Sequence, residues 1–324
     1  MPKVSVIIPV YNAEKYIERC ARSLFEQTLD DIEYIFVNDC TPDKSIEVLC
    51  KILEKYPNRQ NQVKIINHSV NTGQSGARRD GMKTATGDYI IHCDADDWVE
   101  LDMYEKLYNK AIETQSEIVC CDMAVEFNDA QILQRYNDFH CDHKLMYDCI
   151  APISVEYFSM CNRLVSRVIY DRYDIQPFEG VNMWDDVGLS VRVRYFANNS
   201  QVVSEALYHY NRLNDNSTTK RSIVGRVSEQ IRCAECLEDF FHRECPNGLY
   251  DKFVAYIKLI AKLDLLDFDL DKWVRIFPEA NKYIYILRKQ CSYFQIVKSY
   301  LAAYCLPLCK LLINVRRRFK KVFL

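Results

Sequence analysis

The chain lacks several features that would assign it to a familiar class of protein. No run of 18 or more uncharged apolar residues occurs in its 324 residues, so we expect no membrane-spanning helix. The formal net charge is only −3, which gives no overall reason to expect nucleic acid as a partner. The N-terminus enters an apolar segment directly, and we expect no secretory signal peptide.

Two nucleotide-binding signatures are also missing. No G-x-G-x-x-G follows the first apolar segment, which argues against a dinucleotide-dependent oxidoreductase. No G-x-x-x-x-G-K-[ST] occurs, which argues against a P-loop nucleoside triphosphatase. Any nucleotide site in this chain therefore has to be built from other residues.

Cysteine is plentiful, but it does not point to a structural metal. The 15 cysteines are an odd number in a long chain without a signal peptide, which predicts reduced, mostly buried thiols in the cytosol. Cys233 and Cys236 form a single C-x-x-C, and His140 to His143 crowd one short segment. The C-x-x-C lacks the second pair that a zinc site needs and is equally explained by helix spacing, and the ligands of the other run are crowded into one loop.

The most informative stretch runs from Gly87 to Glu100, GDYIIHCDADDWVE. An apolar strand at residues 89–91 is followed by Asp94, Asp96 and Asp97. Asp94 and Asp96 are two apart, so on an extended segment they point the same way. Mg²⁺ and Mn²⁺ prefer oxygen ligands, usually one or two carboxylates plus substrate phosphates. The pattern predicts an Asp-x-Asp metal site that holds a diphosphate, although an acidic turn after a strand is the alternative.

Strand and helix patterns alternate through the first third of the chain. Asn12 is expected to cap the first helix, whose apolar face includes Ile17 and Leu24. The alternation predicts right-handed βαβ units and a parallel sheet. Asn38, Asp39, Asp94 and Asp96 all fall at the carboxyl ends of strands, so one cleft could collect them. The predicted strands cover residues 4–10, 32–37, 63–66 and 89–91, and the later helices cover residues 45–55 and 73–85.

The pattern changes along the rest of the chain. The expected elements are a helix at 104–115, a strand at 117–126, a loop or hairpin at 127–150, a short helix at 154–159, a helix opening at Trp184, a strand at 201–210 and a polar loop at 211–219. Long helical segments dominate from Gly225 onward. The run at 316–321, RRRFKK, predicts a basic amphipathic helix that could lie on an anionic membrane surface through residues 305–324. A solvated tail or a partner-binding helix is the alternative.

Five motifs in series resemble those of family 2 glycosyltransferases. The likeness covers roughly residues 1–220, with the motifs in the family's order. They are Pro9-Val10-Tyr11-Asn12, Val37-Asn38-Asp39, Asn71-Thr72-Gly73 with Ser75-Gly76-Ala77-Arg78, Asp94-Ala95-Asp96-Asp97 and Trp184-Asp185-Asp186.

The resemblance implies a GT-A fold, an α/β domain with a mostly parallel central sheet flanked by helices. That domain would span residues 1–222, with a nucleotide-binding half at 1–115 and an acceptor-binding half at 116–222. Residues 223–324 would form a helical C-terminal region with the basic amphipathic tail.

The family also implies a reaction. It is the inverting transfer of a sugar from a nucleotide-diphosphate donor, most often a UDP-sugar, to a hydroxyl of a carbohydrate or lipid-linked acceptor. A divalent cation, Mn²⁺ or Mg²⁺, is the expected cofactor. We expect a role in bacterial cell-surface polysaccharide biosynthesis, in the cytoplasm or peripherally on the inner face of the plasma membrane.

The resemblance assigns a role to each matching residue. The nucleoside pocket would be lined by Pro9, Tyr11 and Asn12, with Asp39 accepting from the base. Arg78 would approach the diphosphate or base, Asp94 would meet the ribose or the metal, and Asp96 would ligate the metal. Asp186 would be the catalytic base and Asp185 would bind or orient the acceptor. His209 and Arg212 are candidate phosphate contacts, although a histidine with a purely structural role in its strand is the alternative for His209.

Two other functions remain open from the sequence. A haloacid-dehalogenase-like phosphotransferase also places Asp-x-Asp after an apolar strand, but Trp98 then occupies the place of its Thr or Val. The second alternative is a non-catalytic, membrane-associated nucleotide-binding module, against which the presence of both acidic clusters argues.

Overall fold

A computed structural model describes residues 1–128, 130–134, 158–214 and 222–322 of the chain, without the side chains of 289 and 316–322. The expected loop or hairpin at 127–150, the short helix at 154–159 and the run from His140 to His143 lie wholly or largely outside the described residues. The same holds for most of the polar loop expected at 211–219 and for the side chains of the basic tail.

Strands and helices alternate in the first part of the chain, as predicted. The apolar strands are buried because helices cover them, and valine, isoleucine and leucine side chains with a few aromatic rings fill the core. The elements are β1 (Val4–Val10), α1 (Ile17–Phe25), β2 (Ile32–Asn38), α2 (Ser45–Leu53), a 3₁₀ helix (Pro57–Gln62), β3 (Val63–Asn67), α3 (Gly73–Thr84) and β4 (Tyr89–His92).

The neighbouring strands β3, β2, β1 and β4 are all parallel. Val4 of β1 pairs with Ile32 of β2 and with Tyr89 of β4, so the carboxyl ends of these strands lie at the same edge. The predicted parallel arrangement is confirmed for this part of the sheet. Residues that follow β1, β2 and β4 are therefore brought to one side of the molecule.

The second part of the sheet mixes directions. Its elements are β5 (Trp98–Val99), α4 (Met103–Thr114), β6 (Ile118–Glu126), β7 (Gln131–Gln134), β8 (Arg163–Ser166), α5 (Arg167–Tyr173), α6 (Asp185–Phe196) and β9 (Ser200–Asn211). Within the described residues nine strands form one sheet in the order β3-β2-β1-β4-β8-β6-β9-β5, with β7 beside β6. β8 runs antiparallel between β4 and β6, and β5 runs antiparallel to β9. The mixed α/β fold with a mostly parallel sheet is as expected.

The start of the first helix differs from the prediction. Asn12 was expected at the N-cap, but α1 begins at Ile17 and Tyr16 occupies the cap. Asn12 instead adopts a left-handed conformation with φ of 51°, which asparagine tolerates better than most residues. Its backbone N–H donates to the Thr41 hydroxyl at 2.9 Å, so Asn12 ties the end of β1 to the loop after β2.

From Ser222 the chain forms a second compact unit that is helical. Its elements are α7 (Ile223–Glu244), α8 (Asp251–Ala261), α9 (Leu265–Phe268), α10 (Leu270–Arg275), a 3₁₀ helix (Pro278–Lys289), α11 (Tyr293–Tyr304) and α12 (Leu306–Val322). Among the described helices, none combines the length and the apolar character that crossing a bilayer requires.

Candidate active site

The acidic turn after β4 is held by hydrogen bonds from two directions. Asp94 accepts at Oδ1 from Gln74 Nε2 at 3.1 Å and from Arg78 at 2.8 Å, both on α3. The backbone N–H of Asp94 donates to the hydroxyl of Tyr208 on β9 at 3.2 Å. The first carboxylate of the motif is thus fixed between a helix and a distant strand.

Asp96 and Asp97 play different roles in this turn. Asp96 accepts at Oδ2 from Asn214 Nδ2 at 2.7 Å, and burial together with the nearby Asp94 raises its pKa to about 6. Asp97 is almost fully buried and accepts from the Tyr208 hydroxyl and, at 2.8 Å, from the Asn211 N–H. Burial raises the pKa of Asp97 well above its usual range. Asp97 therefore anchors β9 to the turn, which leaves Asp94 and Asp96 as the carboxylates that can meet a ligand.

Arg78 joins the two acidic segments of the chain. Its guanidinium donates to Asp94 Oδ1 at 2.8 Å and to Asp185 Oδ2 at 2.6 Å, and its side chain is only 3% exposed. Asp94 and Asp185 are therefore neighbours in space. The predicted contact of Arg78 with a diphosphate stays a prediction, since the described contacts are ion pairs with carboxylates.

Asp185 and Asp186 open helix α6, as the sequence predicts. Trp184 directly before them has φ of 73°, so the chain turns sharply into the helix. Burial raises the pKa of Asp185, although its ion pair with Arg78 opposes the shift. Burial and the charge of Asp185 raise the pKa of Asp186 to about 7. Asp186 therefore changes protonation near neutral pH, as an acid–base group should.

The N-terminus of α3 is organised by Asp39, which follows β2. Its Oδ1 accepts from the Thr72 N–H at 2.7 Å and hydroxyl at 2.8 Å, and its Oδ2 accepts from the Gly73 N–H at 2.8 Å. His68 Nδ1 lies 2.9 Å from Oδ1. The predicted base contact is untested, and the structure gives Asp39 a clear role in capping this helix.

The same helix is also tied to the segment before α6. Asn182 Oδ1 accepts from the N–H of Ser75 at 3.1 Å and from its hydroxyl at 3.0 Å. Gly73 has φ of +79°, and a Cβ built on it would lie 2.3 Å from Asn182 Oδ1. A glycine is required here both for the backbone conformation and for the close approach of Asn182.

The predicted nucleoside residues lie at the carboxyl end of β1. Pro9 lies near the end of this strand, and Tyr11 follows it with 47% of its surface exposed. Asn12 contacts Thr41 in the loop after β2, the strand that leads to Asp39. These positions share one sheet edge, and their contacts with a nucleoside remain predictions.

The predicted phosphate contacts differ in their surroundings. His209 has one ring nitrogen 2.8 Å from Glu100 Oε1 and the other 2.8 Å from Glu126 Oε1, and its ring stacks on Trp98. Both nitrogens are therefore engaged by carboxylates in this conformation, which supports the alternative of a structural strand histidine. Arg212 lies over the ring of Tyr210, with 5.6 Å from its guanidinium carbon to the ring centroid.

The donor set suits a hard divalent cation. Asp94 uses only Oδ1 and Asp96 only Oδ2 in side-chain hydrogen bonds to other described residues, so each has a second carboxylate oxygen for a cation. Burial and, after it, the nearby charge of Asp94 raise the pKa of Asp96, and a bound cation would offset both effects. Within the described residues no three His, Cys, Asp or Glu side chains converge, so phosphate or water oxygens would have to complete the coordination.

Several residues of the site carry no motif that sequence reasoning used. Tyr208, Asn211 and Asn214, at the end of β9, hold the acidic turn, and Asn182 holds α3. Their one visible signal is position, because polar side chains directly after a strand or before a helix are typical of ligand sites.

Comparisons with known proteins agree with this architecture. The family model described as Glycosyl transferase family 2 matches residues 5–174. EpsH of Bacillus subtilis is 34% identical over 281 residues, which cover 84% of this chain and 74% of that protein. The minor teichoic acid biosynthesis protein GgaB of the same organism is 30% identical over 223 residues, covering 67% of this chain but only 24% of GgaB.

Solved structures show the same fold. The crystal structure of S. aureus TarS residues 1–349 in complex with UDP-GlcNAc superposes with a TM-score of 0.70 and 18% sequence identity. The match covers 93% of this chain and 88% of that one. The GT-A fold expected from the sequence motifs is confirmed, and so is the helical character of the C-terminal region.

Gly73→Ala should destabilise the protein more than Gly180→Ala. Both glycines have positive φ, at +79° and +70°, but a Cβ on Gly180 would meet nothing within 4 Å. Gly180→Ala should therefore cost only the left-handed backbone strain, about 1 kcal/mol in the free energy of unfolding. Gly73→Ala should cost at least about 2 kcal/mol, since Asn182 must also move. Denaturant unfolding measures both, and equal losses would contradict the role given to Asn182.

Arg78→Met should reduce the free energy of unfolding by about 3 kcal/mol or more, because it leaves buried carboxylates without their cation. Lys83→Met on the exposed side of the same helix is the control and should change it by about 0.5 kcal/mol at most. The deficit of Arg78→Met should shrink on going from pH 8 to pH 5, as protonation neutralises the unpaired acids. A deficit independent of pH would mean that lost packing, not lost charge, is responsible.

Proposed function

The chain belongs to glycosyltransferase family 2, and on that premise we propose that it transfers a sugar from a UDP-sugar to an acceptor hydroxyl with inversion. The observation that carries the proposal is the pairing of Arg78 with both Asp94 and Asp185. This pairing brings the turn after β4, which is suited to binding a pyrophosphate, next to the start of α6, which is suited to binding an attacking alcohol. A single displacement needs the leaving pyrophosphate and the attacking alcohol at the same carbon of the sugar.

Asp186 is the base of this proposal. The acceptor hydroxyl must lose a proton as its oxygen attacks the anomeric carbon, and a positioned carboxylate can take that proton. A pKa near 7 makes Asp186 a stronger base than an ordinary aspartate while leaving much of it ionised at neutral pH. Asp185 is fixed by Arg78 and acts by orienting the start of α6.

Asp94 and Asp96 are the residues that would hold a divalent cation, Mn²⁺ or Mg²⁺. When bound, such an ion offsets the charge that develops on the departing pyrophosphate. The protein's own contribution is to hold the two carboxylates in place. Arg78 and Gln74 fix Asp94, and Asn214 fixes Asp96.

The donor we propose is a UDP-sugar. The structurally similar TarS was crystallised with UDP-GlcNAc and with UDP, which supports a UDP-sugar here. Asp39 and the turn into α3 lie at the same sheet edge as Tyr11 and Asn12, where a nucleoside would be bound. In this proposal Pro9 completes that pocket, and Arg212 is the remaining candidate for a phosphate contact.

The acceptor we propose is a carbohydrate or lipid-linked precursor of a bacterial surface polysaccharide. The similarity to GgaB, a teichoic acid biosynthesis protein, supports this class. The reaction would then take place in the cytoplasm at the inner face of the plasma membrane, with residues 305–324 as the contact. Residues 1–222 are proposed as the catalytic domain, divided near residue 115 into donor and acceptor halves.

Family membership removes the haloacid-dehalogenase-like alternative, since the chain matches a different family over residues 5–174. The non-catalytic binding module is still a competing function. Metal-dependent hydrolysis of a UDP-sugar in the absence of acceptor would distinguish the enzyme from that module, because a binding module would release no UDP.

UDP with Mn²⁺ should raise the thermal midpoint of the protein, by roughly 5 °C at a ligand concentration of about 100 Kd. Neither UDP nor Mn²⁺ alone should do so to the same extent. Asp96→Ala should abolish the shift, whereas Asp88→Ala, an exposed aspartate at the other end of β4, should retain it. Equal shifts with and without Mn²⁺ in the unaltered protein would contradict metal-assisted binding.

Asp186→Asn should keep the UDP-dependent thermal shift and lose transfer by about 10²- to 10⁴-fold. Asp174→Asn, an exposed aspartate after α5, is the matched control and should retain full activity. In the unaltered protein, kcat/KM should rise with pH and level off above about 7, because burial and Asp185 raise the pKa of the base to about 7 and only its ionised form accepts a proton. Transfer that survives in Asp186→Asn would assign the base elsewhere.

A further inference from the structure

Helices α11 and α12 expose a line of large aromatic and aliphatic side chains. We call this set the tyrosine–leucine face. It consists of Tyr293 (83% exposed), Tyr300 (38%), Tyr304 (67%), Leu308 (47%), Leu311 (58%) and Val315 (42%). Six exposed apolar residues within 23 positions are a higher density than the scattered single residues of an ordinary surface.

The spacing of these residues puts them on one side of each helix. At about 100° per residue, Tyr293, Tyr300 and Tyr304 fall within roughly 40° of one another on α11. On α12, Leu308, Leu311 and Val315 fall within roughly 60°. The rings of Tyr300 and Tyr304 stack with centroids 6.3 Å apart, which makes the aromatic part of the face continuous.

The opposite sides of both helices are packed against the helical unit. On α11 Ser299 and Ala302 are buried, and the Lys298 ammonium donates to Asp267 of α9 at 2.6 Å. On α12 Cys309 is fully buried, and Lys310 pairs with Asp271 of α10 at 3.1 Å. These contacts fix which way the two helices are rotated, so the tyrosine–leucine face stays turned outward.

The charged residues that this segment itself carries are all of one sign. No Asp or Glu occurs after Glu279, whereas residues 280–324 contain ten Lys or Arg in a chain of net charge −3. Five of these cations lie at 316–321, and α12 continues through them to Val322. An apolar face beside so much positive charge complements an anionic surface. A second copy of the same segment would instead bring positive charge against positive charge.

We propose that the tyrosine–leucine face docks on an anionic lipid bilayer. Tyrosine rings favour the level of the lipid headgroups, and leucine and valine side chains of an interfacial helix enter the boundary with the acyl chains. The basic run adds attraction to anionic lipids, at about 1 kcal/mol for each cation near the surface. The helices lie on the membrane in this arrangement and do not cross it.

The inference extends the proposed membrane contact from the basic tail to two helices. The inference rests on the proposed function in one respect, which is that it names the place where the enzyme would bind a lipid-linked acceptor. The docking itself depends only on the exposed side chains and the charge, so the two can fail separately.

Co-sedimentation with vesicles tests the proposal on the full chain. The protein should bind vesicles of equal parts phosphatidylglycerol and phosphatidylcholine and should not bind phosphatidylcholine alone. Leu308→Ser/Leu311→Ser should lower the partition coefficient by about tenfold or more, because the apolar contribution to interfacial binding is lost. Ile223→Ser/Val224→Ser removes two equally exposed apolar side chains from α7 and should leave the coefficient within about twofold.

Three results would overturn the proposal. One is equal vesicle binding by Leu308→Ser/Leu311→Ser and the unaltered protein, which would leave the basic run as the whole attachment. Another is an unaltered protein that sediments as a dimer without vesicles while the variant is a monomer, which would make this face a contact between copies. The third is equal loss in the α7 control. Should the double leucine variant fail to fold, Tyr293→Ser/Tyr304→Ser provides the same comparison.

Hydrolysis of a UDP-sugar in vesicle-free buffer separates this inference from the proposed reaction. It should be the same in the unaltered protein and in both double variants. Vesicle binding with no hydrolysis would refute the enzymatic function and leave the docking intact, whereas hydrolysis with no vesicle binding would do the reverse.

Discussion

The site depends on one buried guanidinium. Arg78 is paired with Asp94 and Asp185, which are 91 positions apart in the chain, and almost none of its side chain reaches water. A buried cation is tolerated only where its charge is offset, and these carboxylates in turn need a cation because burial disfavours their charged forms. The turn after β4 and the start of α6 therefore each depend on the other for their place in the fold.

Two adjacent carboxylates acquire different properties from this arrangement. Asp185 is fixed in an ion pair with Arg78. Asp186 follows it in the chain without that ion pair, and burial and the negative charge of Asp185 raise its pKa. The same helix start therefore supplies one acid that is fixed in position and one whose pKa lies near neutral. Chemistry that needs a base near neutral pH can be obtained from two ordinary aspartates when only one of them is paired.

The sequence was most informative where a pattern is long. The apolar runs of β1, β2 and β4 and the acids after them predict the parallel strands and the shared edge, and both are observed. β5 and β8 have two and four residues, too few for a period to be visible, and their pairing is decided by distant partners. The prediction for Asn12 was wrong for a similar reason, because a contact with Thr41 outweighed the local preference for a cap. The surroundings of His209 depend on Glu100 and Glu126 from two other strands or their ends, which no local pattern could show.

Trp184 has a conformation that a large residue rarely adopts, directly before the two acids of α6. Left-handed backbone at such a residue stores on the order of 1–3 kcal/mol, which the rest of the fold must supply. A glycine at this position would release that strain but would also remove a buried indole, a loss of about 3–5 kcal/mol that outweighs the gain. It would also allow the start of α6, and with it the two carboxylates, to vary in position. The packing of the indole thus offsets what its own backbone conformation costs, and the direction in which the two carboxylates point depends on both.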